Sequence, residues 1–106
     1  MKILVIGKGG REHALAYACK RSALCDELIC APGNPGMAKI GECVDVKDND
    51  VDGLVTLAKE RNVDLTIVGP EATLALGVVD AFKKEGLKIF GPDKKATQVE
   101  SSKDFA

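Results

Sequence analysis

At 106 residues, 45% hydrophobic and 29% charged, the chain suits one globular domain around a single core. A formal net charge of −1 without any basic tract argues against nucleic acid as the main partner. No apolar run approaches the ~18 residues of a membrane span, and the chain opens on a core strand instead of a signal peptide. Cys19, Cys25, Cys30 and Cys43 show no CxxC spacing, so they read as reduced core or near-surface residues of a cytoplasmic protein, not as a metal site.

The first element is the apolar run Ile3-Leu4-Val5-Ile6, which feeds into Gly7-Lys8-Gly9-Gly10-Arg11-Glu12-His13-Ala14. A β-branched run that ends in glycines and then turns helical is a strand, a tight turn and a helix N-terminus. The unpaired N–H groups of a first helical turn point outward together and, with the helix dipole, attract an anion. Arg11 adds an always-charged fork, so the stretch reads as a phosphate cradle. The same glycines would also serve a plain strand-to-helix turn.

A dinucleotide fingerprint requires GxGxxG and an acid at the end of the second strand. Here Glu12 takes the third glycine position, and Asp26 and Glu27 precede the second strand, about 13 Å from its far end at ~3.3 Å per residue. The loop therefore suits a single phosphate group better than NAD.

A helix is expected over Gly10 to Arg21, with Ala14, Leu15, Ala18 and Cys19 as its apolar face. Glu12 is placed to reach back to a free N–H as in a capping box, in preference to touching ligand. His13, the sole histidine, stands one turn before Tyr17, and packing between the two is favoured over acid–base chemistry.

The second strand, Glu27 to Ala31, leads into Pro32-Gly33-Asn34-Pro35-Gly36, an ordered loop at the same sheet edge and a candidate ligand wall. A short third strand follows near Glu42 to Val46. Asn49 or Asp50 can cap a second helix with Val51, Leu54, Val55 and Ala58 on its apolar face. Leu65 to Val68 is the fourth strand, ended by Gly69-Pro70-Glu71. Glu71 hangs over the same edge, either as an acceptor for a ligand hydroxyl or amine or as a partner of the helix dipole.

A third helix, Leu74 to Lys84, carries Leu74, Val78 and Phe82 inward and stops at Gly86. The strand Lys88 to Phe90 exits through Gly91-Pro92, and a short helix is expected over Lys94 to Glu100. This alternation predicts an α/β fold: a Rossmann-like parallel sheet with helices on both faces and every strand's carboxyl end on one side, where ligands bind.

The motifs Gly7 to Ala14, Ala31-Pro32-Gly33-Asn34-Pro35-Gly36, Val68-Gly69-Pro70-Glu71, Ile89-Phe90-Gly91-Pro92 and Ser102-Lys103-Asp104-Phe105-Ala106 together resemble the N-terminal domain of the phosphoribosylamine–glycine ligase (glycinamide ribonucleotide synthetase) family. The resemblance covers the whole chain. Thr73 departs from it, standing where many relatives carry a proline after Glu-Ala.

The resemblance implies an ATP-grasp ligase of de novo purine biosynthesis that joins glycine to 5-phosphoribosylamine through a glycyl phosphate, with hydrolysis of ATP to ADP and phosphate. It implies that residues 1–106 are one substrate-side domain. ATP and magnesium or manganese would sit on ATP-grasp and C-terminal domains outside this chain, so the fragment alone is expected to hold no catalytic or metal-ligating residue and to be inactive.

By motif match, the phosphate falls to amides of Gly9, Gly10 and Arg11. Asn34 and Gly36 then line the site, and Glu71 faces the ribose or its amine. The implied partners are small molecules and the protein's own downstream domains, with no nucleic acid and no membrane. The rival readings are a non-catalytic nucleotide-binding or regulatory module and a fragment of an NAD-dependent enzyme.

Overall fold

A computed structural model describes residues 1–90. The expected exit through Gly91-Pro92 and the helix over Lys94 to Glu100 lie outside the described residues. The elements run β1 (Lys2–Gly7), α1 (Gly10–Arg21), β2 (Glu27–Pro32), a 3-10 turn (Met37–Lys39), β3 (Glu42–Cys43), α2 (Val51–Glu60), β4 (Leu65–Val68), α3 (Glu71–Ala75), α4 (Val78–Lys84) and β5 (Ile89–Phe90). All neighbouring strands pair in parallel, in the order β3-β2-β1-β4-β5. This is the expected α/β, Rossmann-like parallel sheet.

Alternation along β1 divides the core in two. Leu4 and Ile6 join Ile29, Leu54, Leu57, Ala58, Val68, Leu74, Val78, Val79 and Phe82 on the face covered by α2, α3 and α4. Ile3 and Val5 join Leu28, Cys30, Ala16 of α1 and Met37 of the 3-10 turn on the other. Both faces are thus covered, which is why β1 is a continuous apolar run without the alternation of a half-exposed strand.

The chain first builds outward from β1 through β2 to β3, then crosses back to lay β4 on β1's other side. Strand order therefore reverses between β1 and β4. The crevice beyond their carboxyl ends is the place where open α/β sheets bind ligands.

Several elements differ from expectation. β3 ends at Cys43 rather than Val46, because Val46 N–H donates to Val44 O at 2.8 Å and curls the chain off the sheet. Asp50, rather than Asn49, caps α2, its Oδ1 accepting from Gly53 N–H at 3.0 Å. On that helix Leu57 is buried along with the expected Leu54 and Ala58.

The expected third helix is two helices. Gly77 adopts φ +84°, a left-handed conformation that costs glycine little, and it separates α3 from α4. Leu74, Val78 and Phe82 nevertheless all point inward. α4 then closes as a Schellman motif, with Leu87 N–H on Phe82 O at 2.9 Å and Gly86 N–H on Lys83 O at 3.0 Å.

α1 has the expected bounds but a rotated inner face. Glu12 and Ala16 are its buried residues, Leu15 and Cys19 are half-buried, and Ala14 and Ala18 are exposed. No helix among the described residues is long and apolar enough to cross a membrane.

Phe82 has no exposed surface and packs under the central strands. Phe82→Ala is expected to destabilise the fold by about 3–5 kcal/mol, against less than about 0.5 kcal/mol for Leu76→Ala at the exposed end of α3. Chemical denaturation midpoints of the two variants test the contrast.

Candidate functional site

Three chain segments leave the carboxyl edge at the strand-order reversal: Lys8-Gly9 after β1, Gly33 to Gly36 after β2, and Gly69-Pro70 after β4. Backbone bonds tie them to the sheet, with Gly33 N–H donating to Gly7 O at 3.0 Å and Gly69 N–H to Ile6 O at 3.1 Å. Side chains then tie them to one another. Asn34 Nδ2 donates to Lys8 O at 2.8 Å, while its Oδ1 accepts from Met37 N–H at 2.8 Å. Asn34 thus clamps the second loop onto the first and starts the 3-10 turn. Arg11 reaches across the crevice and donates from Nη2 to Gly69 O.

Glu12 lies beneath this junction. Its side chain is 9% exposed, against 69% for neighbouring Arg11. One carboxylate oxygen accepts from Gly9 N–H at 3.1 Å, the expected capping contact. The other stands 3.5 Å from Arg11 Nε.

The burial of Glu12 explains two of the site's glycines. A Cβ on Gly7, which has φ +135°, would fall 2.2 Å from Glu12 Cγ, and one on Gly69 would fall 2.3 Å from the same atom. These glycines therefore make room for an internal carboxyl group. Gly10 differs, because a Cβ there would meet nothing within 4 Å. The backbone at the start of α1 is therefore open at Gly10, where the sequence places its candidate phosphate cradle.

The candidate residues fall into two groups. Gly9 and Arg11 meet at Glu12, Gly10 stands between them in the chain, and Asn34 is tied to the same loop through Lys8 O; the Gly9 N–H, expected to face a phosphate, is instead taken by Glu12 Oε1. Gly36 stands against His13, since a Cβ on it would lie 2.5 Å from His13 Cε1. His13 thus has a neighbour in the second loop beside the expected Tyr17. Tyr17 is 52% exposed, with the Arg21 guanidinium 5.7 Å from its ring centroid.

Glu71 is the exposed first residue of α3, two positions beyond the carbonyl that Arg11 grips. Thr73, in place of a proline, buries its hydroxyl and donates to Asp48 O at 2.8 Å, anchoring α3 to the segment before α2. Arg11–Gly69, His13–Gly36 and Thr73–Asp48 were not anticipated. Each joins residues far apart in sequence, with no local signature beyond a glycine or a hydroxyl.

Among the described residues, no group of three His, Cys, Asp or Glu side chains could hold a metal ion. Cys30 and Cys43 are register partners on β2 and β3, both free thiols. Cys43 Sγ lies 3.7 Å from Asn34 O and supports the clamping loop. Burial, with Cys43 alongside, pushes the Cys30 thiol up to about 12. It stays protonated at neutral pH and is a poor nucleophile.

The family described as "Phosphoribosylglycinamide synthetase, N domain" matches residues 1–100. The chain is 56% identical over 108 residues to the phosphoribosylamine–glycine ligase of Xanthomonas campestris, with all of this chain and 25% of the relative aligned. It is 54% identical over 108 residues to the Haemophilus influenzae protein of that name, covering 99% of this chain and 25% of the relative. With the corresponding Caldanaerobacter subterraneus protein, identity is 47% over 106 residues, covering 100% and 25%. The chain thus spans about a quarter of the length of the curated relatives it matches.

Two outcomes test the site's internal packing. Gly69→Ala is expected to cost about 1–3 kcal/mol by forcing Glu12 aside, whereas Gly10→Ala should change stability by no more than about 0.5 kcal/mol. Thermal melts of the pair distinguish them. Cys30 should resist a thiol-specific disulfide reagent at pH 8 in the native protein and react after unfolding in urea, as read by mass spectrometry of the labelled peptides.

Proposed function

The chain belongs to the phosphoribosylglycinamide synthetase N-domain family, and on that premise we propose that it is the substrate-side domain of a ligase that joins glycine to 5-phosphoribosylamine in de novo purine biosynthesis. ATP would drive the reaction and leave as ADP and phosphate. The observation that carries the reading is the open Gly10 backbone at the N-terminus of α1, with Arg11 beside it, at the strand-order reversal of the sheet. This is an anion site of single-phosphate size. Glu12 fills the space that a dinucleotide loop leaves to its third glycine, which weighs against NAD.

In this reading the amides of Gly10 and Arg11 and the Arg11 guanidinium hold the 5-phosphate, while the Gly9 N–H expected to join them is taken up by Glu12 Oε1. Asn34 and Gly36 form the wall, and Glu71 faces the ribose hydroxyls or the amine. The domain's contribution is positional: it fixes the phosphate end so that the amine meets its electrophile in one orientation. Residues 1–106 are one domain, and we assign ATP, magnesium or manganese and glycine to the remaining three quarters of a protein of the relatives' length. The protein's partners are then these small molecules and its own further domains. Four free thiols suit a reducing compartment, and we place the protein in the cytoplasm.

Affinity from this domain alone is modest. A helix N-terminus contributes about 0.3–1 kcal/mol and a charge-assisted bond roughly 1.5–3 kcal/mol, so several donors reach about −4 kcal/mol, or millimolar binding. Closure of other domains over the same ligand would supply the rest. Substitutions are therefore best read in the full-length protein. Gly10→Val should block backbone approach, and Arg11→Ala should remove the charge while leaving the turn intact. Both are expected to raise the KM for phosphoribosylamine while the KM for ATP stays near the parent's. A rise in the ATP KM with the phosphoribosylamine KM fixed would place the phosphoribosyl group elsewhere.

A further inference from the structure

We propose that Glu12 is a positioning residue for the phosphate-binding guanidinium, acting through Arg11; the inference rests on the phosphoribosyl reading above and deepens it. A capping contact alone needs only the bond from Gly9 N–H, which a solvent-exposed carboxylate on the first turn can make. Glu12 goes further. It is 7% exposed on the inner face of α1, where an apolar residue would pack at less cost. Glycines at the ends of two different strands, Gly7 and Gly69, leave room for its Cγ and carboxyl group.

That placement puts the second carboxylate oxygen 3.5 Å from Arg11 Nε, while Nη2 of the same guanidinium donates to Gly69 O. A hydrogen bond at Nη2 and an ion pair at Nε together restrict the orientation of the planar group. An arginine has five N–H donors, so the pair on Nη1 is committed to neither anchor. Glu12 and Gly69 therefore hold a flexible, 69% exposed side chain in one orientation before ligand arrives, with donors to spare for a phosphate oxygen. A guanidinium without the first anchor would have to be ordered by the ligand itself, at a cost in affinity.

Glu12→Gln isolates this role. The amide keeps the volume and the acceptor for Gly9 N–H, but it turns an N–H₂ donor toward the Nε–H donor of Arg11. The measurement is steady-state kinetics of the full-length protein for Arg11→Ala, Glu12→Gln, the double variant and Gly10→Val. Glu12→Gln is expected to raise the phosphoribosylamine KM roughly tenfold, as Arg11→Ala does, with kcat and the ATP KM within about twofold of the parent.

The double variant should show the KM of Arg11→Ala alone, since Glu12 acts through that side chain. A parental KM for Glu12→Gln beside a raised one for Arg11→Ala, or KM effects that multiply in the double variant, overturns the proposal. A parental KM for Gly10→Val instead overturns the phosphoribosyl reading. Arg11→Lys is an independent arm should Glu12→Gln fail to fold. It keeps the charge and loses the fork, so its KM should match that of Arg11→Ala, and a parental value there also overturns the proposal.

Discussion

Strand β1 has no free face and no free edge. Ile3, Leu4, Val5 and Ile6 are at most 5% exposed, with helices above and below and β2 and β4 on either side. The rest of the molecule follows from satisfying that strand. Parallel pairing on both edges forces the chain to leave, return, and cross over to the far side, and this crossing creates the gap between diverging loops at the carboxyl edge. The candidate site is thus a by-product of burying four apolar residues, furnished by whatever stands in the loops.

What furnishes it here is an acidic side chain with its own demands. Gly7 and Gly69 would ordinarily be taken as ligand-facing, yet both are explained by the carboxyl group beneath them. Gly10 alone of the three has open space where a side chain would stand. A glycine-rich loop can therefore serve two masters at once: inward glycines that admit a buried residue, and an outward one that exposes backbone. The division decides which substitutions speak to ligand and which to folding.

The sequence was most informative where a single local cause acts. The bounds of α1 and β4 follow from apolar runs punctuated by glycine, and the buried Leu74, Val78 and Phe82 follow from helical spacing. The inner face of α1 did not follow, because alanines at 14, 16 and 18 give no periodic contrast and a carboxylate occupies an inward position. The break at Gly77 was hidden for a related reason. A single left-handed residue between two short helices left the inward positions in step, so spacing alone could not reveal it. The clamps of the site, Asn34 on Lys8 O and Arg11 on Gly69 O, join positions 26 and 58 residues apart. Their residue types were legible; their partners depended on the completed sheet.

The central position of the first strand also has a cost during synthesis. Ile6 is in register with Ala31 on one side and with Val68 on the other. As the chain emerges from the ribosome, one edge of the most apolar segment can be closed by β2, but the other stays open until β4 has been made. At about 5–20 residues per second, the intervening stretch takes roughly 3 to 12 s to synthesise. Through that interval a β-branched strand edge is free to pair with any other extended chain it meets. A strand that is sealed on every side in the folded domain is therefore the most vulnerable segment of the chain while it is being made.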